Sequence, residues 1–360
     1  MIRGFCLIVL FVIVGSFSGL DNTLFGDEAK DADICRNVRG KRILVIEDDG
    51  ENFFFRSPRN LQVDSEQSIF LSDQDQLLAF DKNGRFRRNF FKKGVGPGEL
   101  YSLSNFILTA GKLIALNSRP QKILCFETGG TLVREIKIKE KLFHSRLLLR
   151  TGHHYLLATK EIPKLTAQAD YLDVPIQLVY VDENGNVEQR NGSFPLKEYV
   201  INRNGYRGSF KVADFLWTYD GTNRLFISHT PEYSVKIYDI EKEKIVGECV
   251  RPYKRVKRRE NDSQTGNSIM FGNERFSAPP QKWENDIQSL HYTGGNLWVV
   301  TSSVDSKFKR IVDRYDSSGK YIDRLSIEVK GTIAAIQKHC LFAISSDDKG
   351  FTRVVKYRMK

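Results

Sequence analysis

Between Leu103 and Ile138 the apolar residues arrive in four short runs separated by turn formers. Asn105–Thr109 is closed by Ala110-Gly111, Lys112–Asn117 by Ser118-Arg119-Pro120, Ile123–Glu127 by Gly129-Gly130, and Thr131–Ile138 alternates apolar and polar positions. Runs of this length bounded by Gly, Asn, Asp or Pro predict strands rather than helices. Gly-Gly and Asn-Gly supply the positive φ that tight hairpins need.

The same unit recurs. Second strands are predicted to start at Ile69, Leu113, Tyr155, Leu225, Leu297 and Leu341, spaced by 44, 42, 70, 72 and 44 residues. Third strands end at Phe80-Asp81, Phe126-Glu127, Val181-Asp182, Tyr238-Asp239, Tyr315-Asp316 and Tyr357-Arg358. Four strands per unit and a period near ~40–50 residues describe a β-propeller blade. Six copies predict an all-β, six-bladed propeller of four-stranded antiparallel blades. The two long spacings predict insertions of roughly 25–30 residues, in blade three and between blades four and five. The last copy holds three strands, Ile333–Lys338, Leu341–Ser345 and Val354–Arg358. Arg42–Glu47 (RILVIE) belongs to no copy and is expected to supply the missing outer strand, closing the ring.

The start of the chain reads differently. Arg3, the ten-residue apolar run Phe5–Val14 and the small residues Gly15–Gly19 form a secretory signal pattern. The run is short for a membrane span, which takes ~20 residues. The expected organisation is a signal peptide over 1–19, a segment over 20–39, and the propeller over 40–360 with a basic, polar loop inserted at 254–283. Export to the periplasm or cell surface follows, and only an uncleaved signal segment would touch a membrane.

Export also permits disulfides. Cys125 and Cys249 fall on predicted strands and read as packing residues. Cys35 and Cys340 precede the fourth and second strands of blade six, so a bridge between them could staple the closure. Two free thiols are the equal alternative.

Phe91–Leu100 (FKKGVGPGEL) is the most distinctive short motif. It lacks the strand-to-helix context and the Gly-Lys-Ser/Thr ending of a phosphate loop, so it is expected to be an inter-blade crossing. With SNFIL, GKLIALNS and ILCFETGGTLVREI behind it, GVGPGEL resembles the NHL-type six-bladed propellers exported by Bacteroides-like bacteria. Those carry a G-x-G-P-G-E-[FY] crossing and D-x-x-G turns. The resemblance covers about residues 40–360. It implies fold and export but no single activity, because propellers host many functions.

Chemistry is expected at the channel mouth. Counting back from each second strand gives a polar ring of Asn60, Asn105, Arg146, Asp214, Asp286 and Thr332, each followed by an apolar residue. If the ring converges, its oxygens would suit Ca²⁺ or Mg²⁺. Strand-start Asp and Asn also serve as local turn residues, and no cofactor is otherwise expected. The six histidines show no ligand spacing, and no nucleophile elbow is present.

Net charge is +11. Arg251, Lys254, Arg255, Lys257, Arg258 and Arg259 form a patch for an anionic partner at the head of the second insertion. Arg85, Arg87, Arg88, Lys92 and Lys93 form another on blade one. The polar stretch Asn261–Asn273 favours disorder beyond the first patch. Nucleic acid is disfavoured by export and by the lack of a binding motif. The favoured reading is a non-enzymatic binding or scaffold protein of the cell envelope, with a protein or an anionic glycan or other envelope polymer as partner. The alternative is a metal-dependent lyase or lactonase-like hydrolase at the channel mouth.

Overall fold

A computed structural model describes residues 35–161, 169–203, 206–258 and 268–360. The predicted signal peptide, the segment up to Ile34, Arg259 and the residues as far as Asn267 lie outside the described residues.

The described chain is all β. β1 spans Cys35–Ile46. Blade one follows as β2 Pro58–Val63, β3 Ile69–Asp73, β4 Gln76–Phe80 and β5 Phe86–Asn89. Blade two is β6 Leu103–Thr109, β7 Lys112–Ser118, β8 Gln121–Glu127 and β9 Leu132–Lys137. Blade three is β10 Phe143–Thr151, β11 His154–Lys160, β12 Ala169–Val181 and β13 Val187–Arg203, with a fifth strand, β14 Tyr206–Lys211. Blade four is β15 Leu216–Tyr219, β16 Arg224–Ser228, β17 Ser234–Asp239 and β18 Lys244–Val250. A hairpin, β19 Ser268–Phe271 and β20 Glu274–Ser277, precedes blade five. Blade five is β21 Ile287–Thr293, β22 Asn296–Val304, β23 Arg310–Asp316 and β24 Tyr321–Glu328. Blade six is β25 Thr332–Gln337, β26 Cys340–Ser346 and β27 Thr352–Met359, completed by β1. The inner strands β2, β6, β10, β15, β21 and β25 contact one another in turn around a closed ring.

Period-two alternation explains the packing. Successive side chains leave a strand on opposite faces, so each blade feeds two seams. Ile69 and Leu71 pack with Phe342 and Val354 of blade six, while Phe70 between them packs with Phe106 and Leu124 of blade two. Each of the six seams holds one apolar cluster of this kind.

The N-terminal strand closes the ring as expected: Gly40–Ile46 runs antiparallel to Met359–Val354 of β27. It is longer than the sequence suggested. Its first half, Cys35–Arg39, runs parallel to Arg324–Glu328 of β24, so one strand joins blades five and six into a continuous sheet.

This geometry overturns the proposed Cys35–Cys340 bridge. Cys340 lies opposite Arg358, which lies opposite Lys41, while Cys35 lies opposite Arg324. Six extended residues separate Cys35 from Lys41, about 20 Å at ~3.3 Å per residue. A disulfide needs Cα atoms within about 7 Å. Cys35, Cys125, Cys249 and Cys340 are free thiols.

The insertions are more ordered than a loop reading allows. The first extends β12 and β13 far beyond the blade, where β14 pairs with β13. In the second, Ser268–Phe271 forms a strand inside the stretch read as disordered. Its hairpin docks through Phe276, which is buried with Ile201 and Phe210 of the extension.

Two local devices recur. In the Asp-x-x-Gly turns, Asp81 Oδ1 accepts the N–H groups of Asn83 and Arg85, both at 2.9 Å, and Asp316 Oδ1 accepts those of Ser318 and Lys320 at 2.8 and 3.0 Å. At Gly185 of such a turn φ is +82°, and a Cβ would lie 1.9 Å from the Lys137 carbonyl oxygen of blade two, so glycine is required. The glycine-rich crossing is held by Lys122, whose fully buried ammonium donates to the Gly96 carbonyl at 2.7 Å and to Glu135 Oε2 at 3.1 Å. Glu135 Oε2 also accepts the Gly98 N–H at 2.9 Å. This confirms a structural crossing, not a phosphate loop.

Candidate functional site

The six ring positions do not converge on one pocket. Three of them reach sideways to the next blade. Asn60 Nδ2 donates to the Phe106 carbonyl at 3.0 Å, Asn105 Nδ2 to the Leu147 carbonyl at 2.8 Å, and Arg146 Nη1 to the Phe215 carbonyl at 3.4 Å. In each case the acceptor is the apolar residue just after the next blade's ring position. A shift in strand register near the start of β2, β6 and β10 creates this reach, because a bulge re-aims one side chain. Asp214 lies at the surface with Lys211 at 3.4 Å. Asp286 is buried, accepting the Tyr233 N–H and Arg255 Nε, both at 3.1 Å. Thr332 is exposed. The proposed ion site therefore has no common centre, and among the described residues no three or more His, Cys, Asp or Glu are gathered to hold a metal.

Arg259 lies outside the described residues, and the three described arginines of the basic patch are each committed to an ion pair. Arg251 pairs with the fully buried Asp313 at 2.8 Å, Arg255 with Asp286, and Arg258 with Glu284 at 3.5 Å. Asp313 also binds Arg324 at 3.0 Å and the Tyr233 hydroxyl at 3.0 Å. These arginines anchor the second insertion to blades four and five. Lys254 and Lys257 remain exposed.

The structure gathers a different basic site. A cleft of about 1070 Å³ opens where blades two, three and four meet the blade-three extension, with Arg59 of blade one at its edge. It is lined by Arg59, Arg119, Lys141, Arg146, Lys160 and Lys211 against a single acid, Glu198. Glu198 is buried and bound to Lys160, which also donates to Ser209 Oγ at 3.0 Å. Lys211 faces Asp214. Arg59, Arg119, Lys141 and Arg146 have no ion pair among the described residues, so the cleft carries a net positive field.

The floor is the bulge between Phe143 and Arg146, where the β10–β11 register shifts. His144 is held there at φ +47°, a left-handed conformation that non-glycine residues adopt at a cost. Partial burial, with Lys160 nearby, lowers the His144 pKa. Ser145 is 4% exposed, and its Oγ has no hydrogen-bond partner among the described residues. The Arg146 guanidinium lies 5.8 Å from the Trp217 ring centroid. Burial pulls the Arg146 pKa down, Asp214 opposes that, and Arg59 adds to it. Of the expected ring, only Arg146 lines this cleft, and it forms no ion pair among the described residues. The other cations come from separate elements, Arg59, Lys160 and Lys211 on strands and Arg119 and Lys141 between them, and were invisible to a search for contiguous basic runs.

The 2.60 Å crystal structure of a Bacteroides fragilis NCTC 9343 protein named as exported matches 90% of this chain and 95% of its own, at 13% identity and a TM-score of 0.51. A DUF4221-family member from Bacteroides vulgatus ATCC 8482 matches 90% of this chain and 98% of its own, at 12% identity and a TM-score of 0.54. These likenesses concern the fold. No curated protein matches the chain. The DUF5128 family model, described as a 6-bladed beta-propeller, matches residues 50–247, more than half of the 360 residues. The chain belongs to this family of six-bladed propellers.

Proposed function

We propose that this protein is an exported, non-enzymatic binding protein of the cell envelope that holds an anionic glycan in the cleft between blades two, three and four. The observation that carries the reading is the lining: six Lys and Arg against one acid, which is itself neutralised by Lys160. A concave surface of one sign concentrates ligands of the other. Export is supported by the signal pattern over 1–19 and by the name of the Bacteroides fragilis protein of like fold. The alternative hydrolase or lyase at the channel mouth would need a gathered set of metal ligands, and among the described residues no three or more His, Cys, Asp or Glu are gathered to hold one.

The test is calorimetric titration of the purified protein with acidic and neutral polysaccharides at two salt concentrations. Arg119→Glu/Lys141→Glu reverses two charges at the exposed rim. Salt-sensitive binding of acidic polymers, weakened at least tenfold in the double variant, is expected. Equal binding by wild type and variant, or no binding of any acidic polymer, would sink the reading.

A further inference from the structure

We infer that Arg146 and Ser145 form a seat for one carboxylate, and that the bound glycan is built from uronic acid residues. This rests on the cleft being the binding site and names the group it recognises.

Comparison among this protein's own blades carries the inference. At the same bulge, blade one places Asn60 at φ +48° and blade two places Asn105. Both are neutral latches with well-formed bonds to the next blade, at 3.0 and 2.8 Å. Blade three substitutes a cation at this latch. Its link to Phe215 is long, at 3.4 Å, and no described carboxylate lies within ion-pair distance. A mostly buried guanidinium with no carboxylate in contact is costly, and the cost is relieved when an anion arrives. Ser145 supplies a second observation at the same point, a buried hydroxyl in the cleft lining with no partner among the described residues.

The geometry of the seat narrows the anion. At the bulge itself Arg146 is the one cation without an ion pair among the described residues, and its single charge suits a single negative charge. A guanidinium offers parallel donors in one plane, matching the two oxygens of a carboxylate. A uronate polymer presents one such carboxylate per sugar, and the rim cations Arg119 and Lys141 would meet its neighbours.

The experiment uses three probes on the whole protein: a polygalacturonate oligomer, its methyl ester and a sulfated oligosaccharide of similar length. Wild type is expected to bind the free acid at least tenfold more tightly than the ester or the sulfated oligomer. Arg146→Gln is expected to abolish that preference, and Ser145→Ala to weaken free-acid binding about threefold. Arg146→Gln that still prefers the acid overturns the seat while leaving the cleft reading intact. Equal binding of sulfated and uronate oligomers overturns the carboxylate assignment. Failure of every acidic probe to bind overturns both proposals. A ligand-free melting curve separates seat from latch: Arg146→Met is expected to melt at or above wild type. A loss as large as that of Asn105→Ala would make Arg146 a structural latch and overturn the seat.

Discussion

Asn105 of blade two grips Leu147 of blade three with both ends of its amide: Nδ2 donates to the Leu147 carbonyl at 2.8 Å, and Oδ1 accepts the Leu147 N–H at 2.9 Å. Both residues are buried. Truncation would orphan two backbone groups at the ring's inner edge. Asn105→Ala is therefore expected to cost about 2–4 kcal/mol in urea unfolding. Asn105→Asp, which keeps only the acceptor and buries a charge, should cost at least as much. A loss below about 0.5 kcal/mol in both would show that the inner strands are held by seam packing alone.

Ring closure makes a paired test on one strand. Ile46 is 3% exposed, in the seam between blades six and one, whereas Ile43 is 39% exposed at the bulge of the same strand. Ile46→Ala is expected to cost about 2–4 kcal/mol and Ile43→Ala about 0.5 kcal/mol or less. Chemical denaturation measures both. Equal effects would mean that the clasp is held by backbone pairing rather than by its side chain in the seam.

Acid should loosen the turns. At Asp49 burial pulls the carboxyl up, but the Asn52 amide and the N–H groups of Phe53, Glu51 and Asn52 outweigh it and bring the pKa to about 2. Asp316 is lowered in the same manner, its burial outweighed by the Ser318 hydroxyl and neighbouring N–H groups. A carboxyl whose folded pKa lies below its unfolded value of ~3.9 stabilises the fold above about pH 4. That contribution is lost as pH falls through the folded pKa. Melting temperature is expected to be flat above pH 5 and to drop below pH 4, with a shallower drop in Asp49→Asn/Asp316→Asn. An unchanged acid limb in the double variant would remove these turns as its cause.

The thiols give a chemical test. Intact mass without reductant is expected to show no internal bridge, and native labelling to modify Cys35 and Cys340 first. Cys125 and Cys249 are 3% and 1% exposed, and burial pushes the Cys249 thiol up to about 12. Those two should react only on unfolding. A Cys35–Cys340 peptide in a non-reducing digest would contradict the pairing of β1.

Much of the ring was legible because its signals are local. Each second strand begins within one residue of its expected start, since an apolar run bounded by Gly, Asn or Asp carries its own limits. The parallel half of β1 was not legible: Cys35–Arg39 finds its partner in β24, nearly three hundred residues away, and nothing in RNVR specifies that strand over β27. The blade-three insertion read as a loop because its pairing of Tyr171 with Tyr199 or Asp173 with Lys197 spans positions with no shared local pattern. The site was half legible. Counting along the repeat found Arg146, but whether an inner-strand side chain faces the axis or the next blade is decided by a bulge. Bulges leave no mark in a hydrophobic pattern.

The two-sided pairing of β1 also orders events in time. This strand leaves the ribosome before any of its partners exist, and its two edges stay unpaired until β24 and then β27 have been made. Every seam from blade one to blade five can form during synthesis, but the circle cannot shut until the final strand arrives. Closure is therefore a late, long-range step that joins residues about three hundred positions apart, the kind of contact that slows folding. In that interval β1 is an open edge able to pair with another chain. The basic character of RNVRGKR, with four cations in seven residues, keeps that waiting edge soluble.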